Sequence, residues 1–281
     1  MENSFHSEIE NNYRALYGKL FSALIRQFGT VYVNEIEDAI QNAFLKSLKA
    51  WSLSQTPLKR ENWLFVVARN DILNQIRAKK RIQEKSLFAD TRTETGAKDL
   101  RLEVILLISS AKRISKQAKV VFILKNLFGL SVREISEATL MSRDATYKAI
   151  SRAKASLQDE FEGKTETAFL KIPGDPEIAT AEDILYAVFN IGFDSFDEKI
   201  QSMVNEDLCL EAMALTKVLL SDYDRASTKN LMALFCFHSA RIQAKVEEGR
   251  LVSFFKQDRM KWDRVLMSLG FTHLRKPEKL S

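Results

Sequence analysis

Arg143, Thr146, Tyr147, Lys148, Arg152 and Lys154 fall within twelve residues, spaced so that they stay off an apolar stripe of Ala145, Ala149, Ile150, Ala153 and Leu157. Guanidinium, ammonium, hydroxyl and phenol groups in this pattern make no covalent chemistry. They bind: on a helix laid in a major groove, such side chains meet base edges near the N-terminus and phosphates further along. Residues for catalysis are poorly placed. His6, His238 and His273 are scattered, Cys209 and Cys236 stand alone, and neither an HExxH nor a Cys/His metal set is present. Gly163, Lys164 and Thr165 imitate the end of a phosphate loop, but its first glycine would fall at Gln158 and no strand precedes it. His238, within LMALFCFHSAR, reads as a half-buried core histidine, and Glu247 with Glu248 as a solvated turn. The chain reads as a non-enzyme with no cofactor and no metal.

Two elements must position the basic set. Val132, Ile135 and Ala138 share one helical face, and the stripe ending at Leu157 forms another after a short break. Ser131 and Glu134 have capping-box spacing, Ser142 can cap the second helix, and Asp144 lies in its first turn, where the helix dipole favours an anion. Two readings stand here: a plain helical hairpin with a solvated basic face, or a helix-turn-helix that reads DNA.

Upstream, NEIEDAIQNAFLKSLKAW puts Ile36, Ala39, Ile40, Ala43, Phe44 and Leu48 on a core stripe, with Asp38, Gln41, Asn42 and Leu45 near its edge. A loop with Pro57, Lys59 and Arg60 leads into WLFVVARNDILNQIRAKKR, whose stripe of Leu64, Val67, Ala68, Ile72 and Ile76 leaves Arg69, Asn70, Asn74, Arg77, Lys79, Lys80 and Arg81 outside. Cations gathered at a helix end suit the dipole. Beside aromatics they also suit single-stranded DNA, whose bases stack while its backbone is held. Trp63 reads as core.

The whole chain has 281 residues, enough for two or three domains. Its 9 Gly, 4 Pro and lack of alternation predict an all-α protein, with VVFIL at 120–124 a buried helix rather than a strand. Residues 1–162 hold 26 Lys and Arg against 19 Asp and Glu, and residues 163–281 hold 16 against 18. The basic excess therefore lies with the helical pair, which favours an anionic partner. With no signal-peptide core or long apolar span, a cytoplasmic protein with no membrane contact is expected. Polar breaks at 86–99 and 162–177 divide the chain into helical units at 5–85, 100–161 and 178–281.

Together EDAIQNAFLKSLKAW, WLFVVARNDILNQIR and EISEATLMSRDATYKAISRAK resemble bacterial RNA polymerase sigma factors of the extracytoplasmic-function type, over about residues 10–160 and in the expected order. The resemblance implies that the first domain binds core polymerase and captures the melted minus-ten element, while the second reads the minus-thirty-five element. It assigns Asp38, Gln41, Asn42, Phe44 and Leu45 to polymerase binding. Lys59, Arg60, Asn62, Arg69, Asn70, Asn74, Arg77, Lys80 and Arg81 fall to the minus-ten DNA, and Arg143, Thr146, Tyr147, Lys148, Arg152 and Lys154 to the minus-thirty-five DNA. Most relatives carry a Thr-Val-Lys series where this chain has Ala145, Thr146 and Tyr147.

The third unit, with ILYAVFNIGF, EDLCLEAMALTKVLL, LMALFCFHSAR and GRLVSFFKQDRMKWDR, resembles the start of a helical C-terminal extension found in one sigma subgroup, whose later part is similar to tetratricopeptide repeats. Those repeats have no counterpart here, so the extension reads as short or incomplete. Periodicity gives it about five helices with Leu185, Phe189, Leu219, Leu231, Phe235, Phe254 and Trp262 in the core. The expected function is promoter-directed initiation with core RNA polymerase, modulated by this extension, with a regulatory protein as a further partner. An ordinary helix-turn-helix regulator acting without polymerase, or a helical adaptor, are the competing expectations.

Overall fold

Tyr17, Leu20, Phe21, Leu24 and Ile25 recur at three- and four-residue steps, the spacing that gathers side chains on one helical face. In the computed structural model, which describes residues 2–53, 57–80, 99–164, 168–169, 171–194 and 204–274, all five are buried on α1 (Glu2–Phe28). Gly29 at φ 88° ends that helix and a 3₁₀ turn (Thr30–Tyr32) starts α2 (Val33–Leu53). The latter buries Ile36, Ala39, Ile40 and Ala43, and α3 (Arg60–Lys80) buries Leu64, Ala68, Ile72 and Ile76 against it, with Val67 half-buried.

Four shorter helices follow: α4 (Arg101–Ser110), α5 (Lys116–Asn126), α6 (Val132–Thr139) and α7 (Arg143–Glu160). VVFIL lies inside α5, with Val121 to Leu124 buried, so this apolar run is helical as its basic flanks imply. Phe21 of α1 meets Phe122 of α5 edge-on at 6.2 Å. Gly18 is what permits the approach, since a Cβ there would lie 1.9 Å from the Leu127 carbonyl oxygen. Through α1 the segments read as separate units at 5–85 and 100–161 pack as one compact unit, Met1–Ile172. Of the stretch 86–99 only Asp99 is described; its carboxylate accepts from the Arg101 guanidinium at 2.8 Å.

Pro173–Ser281 form a second compact unit. It holds α8 (Asp175–Phe193), α9 (Glu206–Tyr223), α10 (Ala226–Ala240), a short α11 (Ile242–Lys245) and α12 (Arg264–His273). Asp175 and Pro176 open α8 within the stretch 162–177, because proline is tolerated in a first turn where no helical amide bond is lost. Between α11 and α12 run an antiparallel pair, β1 (Val246–Glu247) and β2 (Arg250–Leu251), and two 3₁₀ turns. Leu185, Phe189, Leu219 and Phe235 are buried, with the Phe189 and Phe235 rings stacked at 4.2 Å. Leu231 and Trp262 are half-buried, and Phe254, expected in the core, is 47% exposed. The chain leaves helical geometry at Val246, so Phe254 sits on a 3₁₀ turn, its ring lying 5.3 Å from the Arg241 guanidinium. Among the described residues no helix is long and apolar enough to cross a membrane.

Candidate nucleic-acid interface

Residues 131–157 fold as their caps dictate. Ser131 Oγ accepts from Glu134 N while Glu134 Oε2 accepts from Ser131 N, a complete capping box that satisfies two orphan amides. Leu140, at φ 55°, closes α6 in the left-handed region, and Ser142 Oγ accepts from Ala145 N at 3.1 Å to start α7. Ala149, Ile150, Ala153 and Leu157 are buried, as the stripe requires. Arg143, Tyr147, Lys148 and Arg152 stand on the opposite side, with Tyr147 61% exposed.

Two of the assigned residues lie elsewhere. Thr146 is fully buried, and its hydroxyl donates back to the Ser142 carbonyl at 3.0 Å. It precedes Ala149 and Ile150 by three and four residues, so it shares their inward face and is not at the surface. Lys154 is half-buried and paired with Glu37 of α2. Around that pair, Thr30 Oγ1 donates to the Leu157 carbonyl at 3.2 Å and Gln158 Nε2 to the Val31 carbonyl at 3.0 Å. Arg14 of α1 reaches Glu134 of α6 at 2.5 Å.

On α2, Asp38, Gln41, Asn42 and Leu45 form one exposed stripe at helical spacing, Leu45 with 60% of its surface in water. Asn42 Nδ2 donates at 3.1 Å to Asp71 of α3, whose same oxygen accepts from Gln75 at 3.2 Å, so the stripe is braced from the neighbouring helix. Phe44 is the exception among the five polymerase-assigned residues. It is 6% exposed and packs 4.6 Å from the Tyr13 ring, supporting the stripe from beneath. Burial, then the Glu37 charge, push the Tyr13 and Tyr17 hydroxyls above the ordinary phenol range, so both stay neutral.

Along α3, Asn70, Asn74 and Arg77 are exposed in a row. Val66, 51% exposed, begins the same row and was missed from sequence; its position off the Leu64, Ala68, Ile72 stripe was the available signal. Leu58 before the helix is also fully exposed and Lys59 stands beside it in solvent. Arg60 lies over Trp51 at 5.8 Å, Trp63 meets the same ring edge-on at 5.5 Å, and Asn62 and Arg69 are half-buried. The Lys80 side chain and Arg81 lie outside the described residues.

Residues 9–82 match the family described as Sigma-70 region 2, residues 109–157 match Sigma-70, region 4, and residues 177–278 match a family of unknown function, DUF6596. An uncharacterized protein of Rhizobium meliloti (strain 1021) is 27% identical over 261 residues, covering 88% of this chain and 60% of its own length. The chain thus spans about 60% of the length of that curated relative. No solved structure gives a significant match. The α1–α3 face thus lies in a segment matching Sigma-70 region 2 and the α6–α7 pair in one matching Sigma-70 region 4, a combination typical of extracytoplasmic-function sigma factors, and the chain continues into a segment matching DUF6596.

Proposed function

We propose that this protein is a promoter-specificity subunit that binds core RNA polymerase, captures the melted minus-ten strand and reads duplex DNA upstream. The observation that carries the reading is the pairing, in one chain and in family order, of an exposed α2 stripe with an exposed cationic face on α7. Asp38, Gln41, Asn42 and Leu45 meet polymerase. Val66, Asn70, Asn74 and Arg77 follow the single strand, whose bases find an apolar edge and amide donors while cations hold its backbone. Arg143, Tyr147, Lys148 and Arg152 face the major groove. Nothing in this role requires catalysis by the chain itself, and it places the protein in the cytoplasm.

Minus-ten and minus-thirty-five elements lie about 25 base pairs apart, or about 85 Å of duplex at roughly 34 Å per turn. Lys154 of α7 touches Glu37 of α2. One packed unit cannot hold both elements at once, so the region 4 helices swing away from α2 when a promoter is engaged. The extension, residues 178–281, modulates output. Its support is the charge division between a basic first part and a slightly acidic second one, joined through a stretch in which Pro173 and Pro176 restrict the chain's freedom.

Transcription from a genomic fragment library, with purified core polymerase alone, with the full chain, and with residues 1–172, tests the reading. Discrete new start sites appear only when core and full chain are combined, and the shorter chain gives the same sites at a different yield. Sequence-specific duplex binding with no dependence on core would instead make the protein an ordinary helix-turn-helix regulator. Equal yields from the two chains would remove the modulating role of the extension.

A further inference from the structure

Past Val246 the second unit stops burying its large apolar side chains. Leu251, Phe255, Met260, Val265 and Phe271 stand in solvent, from 62% exposed at Leu251 to 89% at Phe255. The backbone holds them there. Gln257, itself buried, donates to the Val252 carbonyl at 3.0 Å, and Asp258 Oδ1 accepts from Met260 N at 2.9 Å. Asp263 Oδ1 accepts from Val265 N at 2.8 Å and from Leu266 N at 2.9 Å. An ordered apolar surface left in water marks a place that another molecule covers.

The charges beside this surface divide by what they already bind. Asp258 and Asp263 are taken up by those backbone amides, and Glu247 pairs with Lys261 at 2.9 Å, tying the hairpin to the second 3₁₀ turn. Arg250, Lys256 and Arg264 are exposed with no carboxylate partner among the described residues. Residues 246–281 hold 8 Lys and Arg against 5 Asp and Glu, whereas residues 163–245 hold 8 against 13. That acidic part has exposed apolar groups of its own, Tyr186 on α8 with Leu210 and Val218 on α9. Asp207 and Asp222 of α9 stand in solvent, unpaired among the described residues. Asp222 is next to last in its helix, where the dipole disfavours an acid, so α9 by itself gives no reason for it.

We infer that the surface running from the hairpin to α12 is a self-association site whose occupant is a second copy of this chain. Both surfaces belong to one compact unit and both are open to water, so neither covers the other. Each finds its complement on another copy, cations against acids and apolar groups against apolar groups. Two copies related by a two-fold axis make the contact twice, the cationic surface of each meeting α8 and α9 of the other. Apolar burial supplies the affinity, while the charges set the register and reject a pairing of two cationic surfaces. Such a dimer needs neither DNA nor polymerase and goes beyond the promoter-directed role proposed above.

Sedimentation equilibrium of the full chain, from about 1 to about 100 μM so as to span the dissociation constants of ordinary specific contacts, tests the pairing. The natural protein approaches twice its chain mass of 32.2 kDa, and added salt weakens the dimer by screening exposed charges. Phe255→Asp raises the dissociation constant by at least about tenfold. Arg250→Glu with Arg264→Glu, and separately Asp207→Lys with Asp222→Lys, each give a monomer, and an equimolar mixture of these two charge-reversed chains restores the dimer. Every replaced side chain is exposed, so thermal unfolding of each variant stays within about 4 °C of the natural protein. A natural protein still monomeric at the highest concentration overturns the inference and leaves the surface to an unlike partner. A dimer equally tight in Phe255→Asp and in both charge-reversed chains forms elsewhere on the molecule and overturns it too. Charge-reversed chains that stay monomeric when mixed show that these cations do not meet these acids, and the reciprocal pairing falls.

Discussion

His238 ends α10 half-buried, its ring edge-on to Phe193 at 4.9 Å, with its Nδ1 3.2 Å from the Arg241 guanidinium. Burial first, then the charge of Arg241 and more weakly that of Lys245, hold its pKa below the free imidazole value, against the opposing pull of Asp194. The unfolded chain therefore takes up this proton before the folded one as pH falls. Stability from the neutral ring is complete above about pH 6.5 and declines below it. Thermal unfolding followed from pH 7.5 to 5.5 falls in midpoint for the natural protein, and His238→Gln has a flatter profile. A slope unchanged by that substitution would assign the pH dependence to other groups. Nearby, burial pushes the Cys209 thiol to about 12, so this sulfur stays protonated and donates weakly to the Phe189 carbonyl at 3.7 Å. Lys245 is buried for a different reason: its ammonium donates to the carbonyl of Phe193 and, at 2.6 Å, to Asp194, closing the C-terminal end of α8. A lysine in this place satisfies orphan carbonyls that apolar residues would leave bare.

At the scale of the element, α7 is two structures in one helix. Its N-terminal half presents side chains to solvent, and its C-terminal half is fastened by Lys154, Leu157 and Gln158 to α2 and the Thr30–Tyr32 turn. Phosphate and base contacts should separate along the exposed half. Arg152→Ala weakens DNA binding across all sequences and lowers the salt slope by about one phosphate contact, whereas Lys148→Ala changes the preference among promoters. Protection of the upstream element, titrated at several salt concentrations with core polymerase present, measures both effects. If each substitution alters slope and preference alike, the division along the helix is wrong. The second helix pair, α2 with α3, gains its rigidity differently. Asp71 accepts from both Asn42 and Gln75, so a hydrogen-bonded bridge braces the polar stripe at the rim of the apolar packing between the two helices.

For the molecule as a whole, the consequential contacts are those that hold the region 4 helices on the region 2 helices. The Lys154–Glu37 pair retains only 20% and 14% of its side-chain exposure. Removing one partner therefore strands a charge that water reaches poorly, at a cost of roughly 2 kcal/mol, between the exposed and fully buried limits. Lys154→Glu should lower the unfolding midpoint of the first unit by roughly 4–8 °C, and the exchange Glu37→Lys with Lys154→Glu should recover most of it. Small-angle scattering of the same proteins gives a larger radius for Lys154→Glu if the pair holds the unit closed. A radius and midpoint unchanged by the single substitution would show that the apolar and backbone contacts around Leu157 suffice alone.

Periodicity by itself determined the all-α class, the helical state of VVFIL, the Ser131 and Ser142 helix starts and the inward stripe of α7, because each depends on spacing along one chain segment. It also placed Asp38, Gln41, Asn42 and Leu45 at a surface, since a stripe of buried residues leaves its complement outside. What it could not supply were facts created by contact between distant segments. Thr146 read as a surface group by residue type and resemblance, yet a threonine hydroxyl can be satisfied within its own turn, and Phe44, on the core stripe of α2 but assigned to polymerase by resemblance, packs its ring on Tyr13. Phe254 read as core until a hairpin and a 3₁₀ turn replaced the helix that would have carried it inward. The pairing of Lys154 with Glu37 spans 117 residues, and the close seat of Gly18 on Leu127 more than a hundred. Such pairings follow from the packing of α1, α2, α5 and α7 together. Local rules fix what each helix offers, and only the tertiary structure decides which of those offers another helix takes up.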